Sequence, residues 1–337
     1  MKKDTVKKLI LNPIKVLAFV VAFFLIIQTL SDTIFSAVNN ASKNQQMANA
    51  YAFTEDDPQT IDIVCLGNSD AYSAFAPITL WENFGYTSTV CASPHQLIND
   101  SRTLLENVRK TQDVKLVFLD VDLMYDGKQI DEVISTRPTI FDNFFQTADP
   151  ESFETFVERK FPVFTYHNLW KNQKKKSKRR EYSHGYVLIK DTVKIPKSNY
   201  MEVTDEMDYP ISTNINALKS FVLYCRNNDI DVVLVEMPSV TSWNYARHNA
   251  MQEISDEMGV EFLDLNLAYD EIGIDQTNCF RDKGNHLNHE SAVAVTKYFG
   301  NYIQQNYDIE DHRNDSRYSE RWDSDTANYK KHYKVKE

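Results

Sequence analysis

Short apolar runs alternate along this chain with longer segments in which apolar residues recur at helical spacing. The short runs are rich in Val, Ile, Leu and Phe, which predicts buried strands at residues 61–66, 87–91, 115–121, 231–237 and 260–265. The longer segments predict helices at residues 77–84, 96–111, 211–228, 243–258 and 289–306. Strands and helices that alternate in this way predict a parallel sheet with helices on both faces, a three-layer α/β/α fold.

The N-terminus combines a basic stretch with an apolar one. Residues 1–15 contain five lysines and one acidic side chain, and residues 16–30 carry no charge. This pattern predicts a transmembrane signal anchor within residues 1–38, with a cytoplasmic N-terminus by the positive-inside rule. A cleaved signal peptide is the alternative. The anchor is favoured because the bulky Phe35 precedes Ser36 and Ala37 where a cleavage site needs a small residue. The rest of the chain then lies outside the cytoplasm, held to the cell membrane by a single pass.

Several regions extend beyond a minimal α/β unit. Residues 39–58 are polar and predict a stalk before the main domain at 59–307, and residues 123–210 predict an insertion that caps the site. Residues 308–337 are rich in charge and poor in aliphatic side chains, which predicts a disordered tail. Residues 171–180 include seven basic side chains, which form either a solvated face or a site for an anionic polymer or for lipid headgroups.

Composition narrows the class of function. The formal net charge of −11 argues against nucleic-acid binding, which requires a basic field. The four cysteines form no Cys-x-x-Cys pair and no His/Cys cluster with zinc spacing, so neither a metal nor a cofactor is expected. Cys65 and Cys91 fall on strands that should be neighbours. They are either a disulfide outside the cell or buried thiols, and buried thiols are favoured.

Candidate chemistry begins at the end of the first predicted strand, where the sequence turns sharply through Gly67, Asn68, Ser69 and Asp70. Parallel α/β sheets place their ligands at the carboxyl ends of strands. A serine at such a corner can be a nucleophile if a base and an oxyanion site lie nearby. The alternative is that Ser69 only caps the following helix.

A second stretch supplies the groups that a nucleophilic serine needs. Asp282 and His286 lie four residues apart just before the last predicted helix, where they can act as an orienting acid and a base. Together with the turn at Ser69, this block resembles the SGNH (GDSL-type) hydrolases over residues 61–307. The resemblance implies a flavodoxin-like sheet with strand order 2-1-3-4-5, Ser69 as nucleophile, His286 as base and Asp282 as the acid.

The chain departs from the SGNH pattern at two places. In the family the Asp usually stands three residues before the His, whereas Asp282 stands four residues before His286. Its Gly-x-Asn-Asp block, which supplies an oxyanion donor, is replaced by Asp120-Val121-Asp122-Leu123. The residues left as candidates for oxyanion or substrate binding are Asn68, Asp70, Ala92 and Ser93.

The resemblance is strongest to membrane-anchored members from Gram-positive cell envelopes, which are similar to D-alanine-transfer and alginate-acetylation-like proteins. It implies a serine esterase or O-acyltransferase that acts on a cell-envelope polysaccharide or teichoic acid, with a membrane-bound O-acyltransferase as partner. Two alternatives stay open. One is a catalytically inactive SGNH-fold envelope protein that binds an anionic polymer or that partner. The other is a phospholipase that uses the same residues.

Overall fold

The computed structural model describes residues 3–36, 48–125, 157, 161–167 and 181–335. Five parallel strands form one sheet in the order β2-β1-β3-β4-β5. The strands are β1 Ile63–Gly67, β2 Ser88–Ala92, β3 Leu116–Asp120, β4 Asp231–Glu236 and β5 Glu261–Asp264. The predicted strands, their parallel direction and the flavodoxin-like order are all confirmed.

The sheet has an apolar core on each face because successive side chains of a strand point to opposite sides. Val64 and Leu66 of β1 pack into one core cluster, whereas Ile63 and Cys65 pack into the other. All residues of β1, β2 and β3 are buried. This burial on both faces explains why the central strands read as continuous apolar runs.

Helices cover both faces of the sheet, and the sequence signals at their ends are confirmed. Gly85 and Gly259 end two of the helices in the left-handed conformation, with φ of 74° and 60°. Asn288 caps another helix by accepting the Ser291 N–H. The described helices are α1 Lys3–Asp32, α2 Ser69–Ala74, α3 Pro77–Phe84, α4 Ile98–Val108, α5 Val163–Tyr166, α6 Ser212–Arg226, α7 Tyr245–Met258, α8 Tyr269–Ile272, α9 His289–Asn306 and α10 Ser316–Tyr333.

The C-terminal region differs from the predicted disordered tail, because α10 is a helix packed on the domain. Its Trp322 is fully buried, with the ring centroid 5.6 Å from that of Trp81 and 3.9 Å from that of His184. Tyr329 of the same helix is also buried. The prediction of disorder rested on the average composition of residues 308–337. A few aromatic side chains on one face nevertheless bury enough apolar area to hold a charged helix against the domain.

Parts of the predicted cap insertion lie outside the described residues, including the basic run at 171–180. The described stretch after it runs beside the domain. Its Val187 N–H donates to the Tyr72 carbonyl at 2.9 Å, and its Val193 N–H donates to the Phe280 carbonyl at 2.9 Å. This stretch therefore contacts both sequence regions that carry the candidate chemistry, and the cap role stays a prediction.

Helix α1 contains Pro13–Asp32, the one stretch among the described residues that is long and apolar enough to cross a membrane. Its mean hydropathy is 2.3, and 6% of it is buried. These properties are compatible with a single-pass anchor or with a signal sequence.

All four cysteines are free and buried. Cys91 lies on β2 beside β1, but it pairs with Leu66, whereas Cys65 pairs with Val90. Burial raises the pKa of the Cys225 and Cys279 thiols to about 12. The favoured interpretation of buried thiols is confirmed.

Candidate active site

The turn after β1 places Ser69 at the start of α2, at the carboxyl end of the sheet. A Cβ added to Gly67 would lie 2.5 Å from the Cβ of Asp120 on the neighbouring strand β3. Glycine is required there because any side chain would overlap Asp120. Ser69 itself is half-buried, so its hydroxyl stands at the edge of the domain rather than in the core.

Asn68 holds this turn through both ends of its amide. Its side-chain oxygen accepts the Asp70 N–H at 2.9 Å, and its Nδ2 donates to Asp122 Oδ2 at 2.7 Å. The Asp70 N–H is one of the predicted oxyanion donors, and here it is already occupied by Asn68. Asn68 therefore caps α2 and ties it to the residue that follows β3.

Asp282 and His286 form a hydrogen-bonded pair on the loop before α9. His286 Nδ1 lies 2.5 Å from Asp282 Oδ2. The other oxygen, Oδ1, accepts the backbone N–H groups of Gly284, Asn285 and His286 at 3.2, 2.9 and 3.1 Å. The loop wraps around the carboxylate, which is how the structure accommodates the longer spacing between the two residues.

These hydrogen bonds favour the ionised form of Asp282. Burial acts to raise the pKa of Asp282, but hydrogen bonds from His286 and from two backbone N–H groups outweigh it and lower the pKa. Asp282 is therefore a carboxylate at neutral pH and can only accept. It follows that Nδ1 of a neutral His286 carries the proton, and that Nε2 presents a lone pair.

Asn285 lies directly against that lone pair, with its Nδ2 at 3.2 Å from His286 Nε2. The Asn285 Oδ1 accepts from the hydroxyls of Ser239 and Thr241 at 3.0 and 2.9 Å. Both hydroxyls belong to the loop after β4, and Val240 of that loop donates its N–H to the Gly284 carbonyl at 2.8 Å. The loop with Asp282 and His286 is thereby fixed to the carboxyl end of β4.

Tyr72 connects the two predicted stretches. Burial raises the pKa of its phenol, whereas the charge of Arg281 and hydrogen bonds with Ser69 and Arg281 act in the opposite direction. Arg281 is the neighbour of Asp282 in sequence, so Tyr72 brings α2 and the His286 loop to one place. The structure thus places Ser69 and the Asp282–His286 pair at the same edge of the sheet. Ser69 has a hydrogen bond with Tyr72, and His286 has one with Asn285.

A group of acidic side chains lies behind this edge, at the ends of β3, β4 and β5. Burial raises the pKa of Asp70 well above its usual range, and the negative charges of Asp122 and Asp120 raise it further. Burial and the same two charges do so for Glu236, the last residue of β4. Asp264, at the end of β5, adds to the effect on Glu236. Shared negative charge in a dry environment keeps Asp70 and Glu236 protonated to higher pH.

The other two oxyanion candidates lie at the end of β2. Ala92 is buried and pairs with Gly67, which places it beside the turn that carries Ser69. Ser93 follows it and is half-buried, and its hydroxyl donates to Gln96 Oε1 at 3.1 Å. Both are next to the candidate site by position, and their role there stays a prediction.

One group among the described residues has the spacing of metal ligands, and Ser69 is not a member of it. It consists of Asp56, His184 and Asp325, all buried. Burial acts to lower the pKa of His184, but the charge of Asp56 and the hydrogen bond to Asp325 raise it to about 9. Arg321 Nε also donates to Asp325 Oδ2 at 2.7 Å. A protonated His184 and Arg321 together carry two positive charges beside the two carboxylates.

Sequence reasoning missed three residues of the site. Tyr72 and Asn285 lie inside the two stretches that the sequence singled out, but nothing in either stretch indicates which distant group they contact. Glu236 lies near the end of a predicted strand, and a charged residue in that apolar run was the available signal. Their partners come from separate parts of the chain, which a single sequence does not bring together.

No known family profile matches this sequence, and no curated protein matches it. Similar solved structures include a protein of Desulfitobacterium hafniense DCB-2 described as lipolytic and of the G-D-S-L family, with 11% identity and TM-score 0.35, covering 71% of this chain and 98% of that one. Another is a protein of Bacteroides fragilis NCTC 9343 described as an acylhydrolase, with 12% identity and TM-score 0.37, covering 78% and 97%. A third is a GDSL-like lipase of Bacteroides thetaiotaomicron VPI-5482, with 12% identity and TM-score 0.34, covering 77% and 98%. Similarities this low carry no argument about function, and the α/β fold is assigned from the order and direction of the strands.

Proposed function

We propose that this protein is a membrane-anchored serine esterase or O-acyltransferase of the SGNH type. Ser69 is the nucleophile, His286 the general base and Asp282 the acid that orients the imidazole. The observation that carries the proposal is the hydrogen bond between Asp282 and His286, on a loop held at the sheet edge where Ser69 begins α2. An ionised Asp282 keeps the proton on Nδ1, which leaves Nε2 as the base that a serine hydroxyl requires.

The reaction would be acyl transfer in two steps. Ser69 Oγ attacks the carbonyl carbon of an ester while His286 Nε2 takes the hydroxyl proton, and the same proton is returned to the departing alcohol. Water or a sugar hydroxyl then attacks the acyl-enzyme, with His286 again acting as base. Water as the acceptor gives an esterase, and a sugar hydroxyl gives a transferase.

The position of the domain suggests the substrate. With the lysine-rich N-terminus in the cytoplasm, Ser69 lies outside the cell membrane. Ester groups available there are carried by envelope polysaccharides and teichoic acids, and the basic run at 171–180 would attract such anionic polymers. If the protein is a transferase, a membrane-bound O-acyltransferase that delivers acyl groups across the bilayer is the partner that we propose.

A second function, binding without catalysis, is favoured by the residues that stand where oxyanion donors are expected. The Asp70 N–H is occupied by Asn68, and Asp120 and Asp122 stand where the SGNH pattern has its Asn donor. Negative charge near a developing oxyanion opposes acyl transfer. In this case the domain would hold an anionic polymer or a membrane acyltransferase without turning over an ester.

A fluorophosphonate probe and an acetyl-ester assay distinguish the two functions. We expect the purified full-length chain to be labelled on serine and to hydrolyse the ester, and both signals to disappear in Ser69→Ala and His286→Ala. Ser73→Ala is the matched control, since Ser73 lies on the same helix and should leave labelling intact. A folded wild-type protein that neither labels nor hydrolyses would overturn the catalytic proposal and support the binding function.

A further inference from the structure

The charges around α1 determine how deep it lies in a membrane. Residues 16–31 carry no charge and are flanked by Lys15 and Asp32. At about 1.5 Å per residue this run spans roughly 24 Å, less than the ~30 Å hydrocarbon core. Both charges therefore lie near the edges of the core, and a shift along the membrane normal in either direction would draw one of them deeper into it. Phe24, in the middle of the run, therefore lies deep in the hydrocarbon.

A short segment of the cap insertion contacts α1 at that depth. The ring of Phe161 lies 6.2 Å from the ring of Phe24, between centroids. Two residues later, the Val163 N–H donates to Ser31 Oγ at 3.3 Å, at the outer end of the uncharged run. The segment 161–167, which we call the aromatic foot, therefore contacts α1 between its middle, at Phe161, and its outer end, at Val163.

The aromatic foot exposes a large apolar side chain, Phe164, and ends at the exposed His167. Phe164 packs edge-on against Phe161, with ring centroids 6.3 Å apart, yet 47% of its surface is exposed. The neighbouring α1 side chains Phe23 and Phe24 are similarly exposed. Exposed aromatic rings beside an apolar helix are unfavourable in water and favourable among acyl chains.

The backbone of the aromatic foot is also suited to an apolar medium, where every N–H and C=O needs a partner. The Phe161 N–H donates to the Val157 carbonyl at 2.9 Å, and the Phe164 N–H donates to the Phe161 carbonyl at 3.0 Å. The Phe164 carbonyl in turn contacts His167 Nδ1 at 2.8 Å. Two of these three contacts lie within the aromatic foot, and the third joins it to Val157.

We propose that the aromatic foot is a second membrane contact, inserted among lipid acyl chains beside α1 in the outer half of the bilayer. The occupant of its exposed face is lipid, because that face is continuous with the apolar surface of α1 at the same depth. Two attachments hold the domain in one orientation close to the bilayer, whereas a single helix with a stalk would let it swing. This inference rests on the proposed anchor and not on catalysis.

The test measures depth in liposomes reconstituted with the full-length chain. Phe164→Cys is labelled with an environment-sensitive fluorophore and quenched with lipids that carry a nitroxide on the acyl chain. The native cysteines are all buried, so the parent chain gives the background. Val21→Cys in α1, 50% exposed, reports the anchor, and Val203→Cys, 74% exposed on the domain, reports water.

We expect quenching by the nitroxide lipid at positions 164 and 21, and quenching by aqueous iodide at 203 alone. Lipid quenching at 21 together with iodide quenching at 164 would overturn the proposal while retaining the anchor. If the nitroxide lipid quenched neither position 164 nor position 21, both the anchor and the second membrane contact would be rejected. If Phe164→Cys folds poorly, Phe164→Trp is the alternative, because it keeps an aromatic ring at the contact. We expect brominated lipid to quench the fluorescence that this tryptophan adds.

Discussion

Asn285 donates an amide hydrogen to Nε2 of His286, at 3.2 Å, and thus occupies the lone pair that the proposed base would use. The hydroxyls of Ser239 and Thr241 hold the amide in that orientation. Ser69 must displace this contact before it can pass its proton to His286. The structure therefore shows a resting arrangement of the base.

Removing the Asn285 amide should activate the proposed nucleophile. A neutral hydrogen bond contributes about 0.5–1.5 kcal/mol net, so Asn285→Ala should raise the rate constant of fluorophosphonate labelling roughly 2- to 10-fold. Thr241→Val removes one of the two hydroxyls that hold the amide, and a smaller rise is expected from it. Slower labelling in Asn285→Ala would mean that Asn285 positions the base or the substrate instead.

The Asp282 carboxylate is expected to act by setting the histidine tautomer. Asp282→Asn keeps an oxygen for the three backbone N–H groups but turns an NH2 group towards His286 Nδ1, so the proton moves to Nε2. Ester hydrolysis should fall by about 100- to 10,000-fold while the thermal unfolding temperature changes little. Full activity of a folded Asp282→Asn protein would show that another acid orients His286.

Glu236 should destabilise the fold at neutral pH. Its folded-state pKa lies well above the ordinary value of 4.5, because of burial and the charges of Asp122 and Asp120. The stability that its proton confers is complete below the unfolded-state pKa and is lost as pH rises towards the folded-state pKa.

Glu236→Gln keeps the shape and removes this titration. We expect it to stabilise the protein by about 1–3 kcal/mol at pH 8 and by less at pH 5, measured by denaturant unfolding at both values. Glu261→Gln, at the exposed start of β5, is the matched control and should change stability by under about 0.5 kcal/mol. An equal effect of Glu236→Gln at the two pH values would contradict the assignment.

His184 should make stability fall at alkaline pH. Its pKa is raised from 6.5 to about 9, so its contribution is fully present below pH 6.5 and is lost as pH rises through about 9. The shift corresponds to roughly 3 kcal/mol. We expect His184→Asn to remove most of this decline, and asparagine suits the left-handed φ of 47° at this position. His95→Asn, also at positive φ but exposed, should keep the decline seen in the parent protein.

The sequence predicted the elements whose signals are local. Residues 61–66 read as a buried strand because the central strands are apolar on both faces, and Gly85 and Gly259 mark helix ends because they take positive φ. The spacing of Asp282 and His286 was also a local signal, since both lie on one loop. The resemblance to SGNH hydrolases added the strand order, which the structure confirms.

The C-terminal helix shows where local signals were insufficient. A charged segment with few aliphatic residues is typical of disorder, yet Trp322 finds the rings of Trp81 and His184 in distant parts of the chain. The stabilisation arises from the surface that receives the helix, and that surface exists only after folding. The segment's own composition carries no information about it.

By itself, then, the sequence determined the apolar N-terminal helix, the alternating strands and helices, and the two polar stretches around Ser69 and His286. Only the tertiary structure decided that Asn285 faces the base and that Tyr72 joins Ser69 to Arg281. It also decided that burial and the charges of Asp122 and Asp120 raise the pKa of Glu236. The physical reason is range. Hydrophobic periodicity and turn chemistry act over a few residues, whereas these contacts depend on how separate strand ends and loops meet at one edge of the sheet.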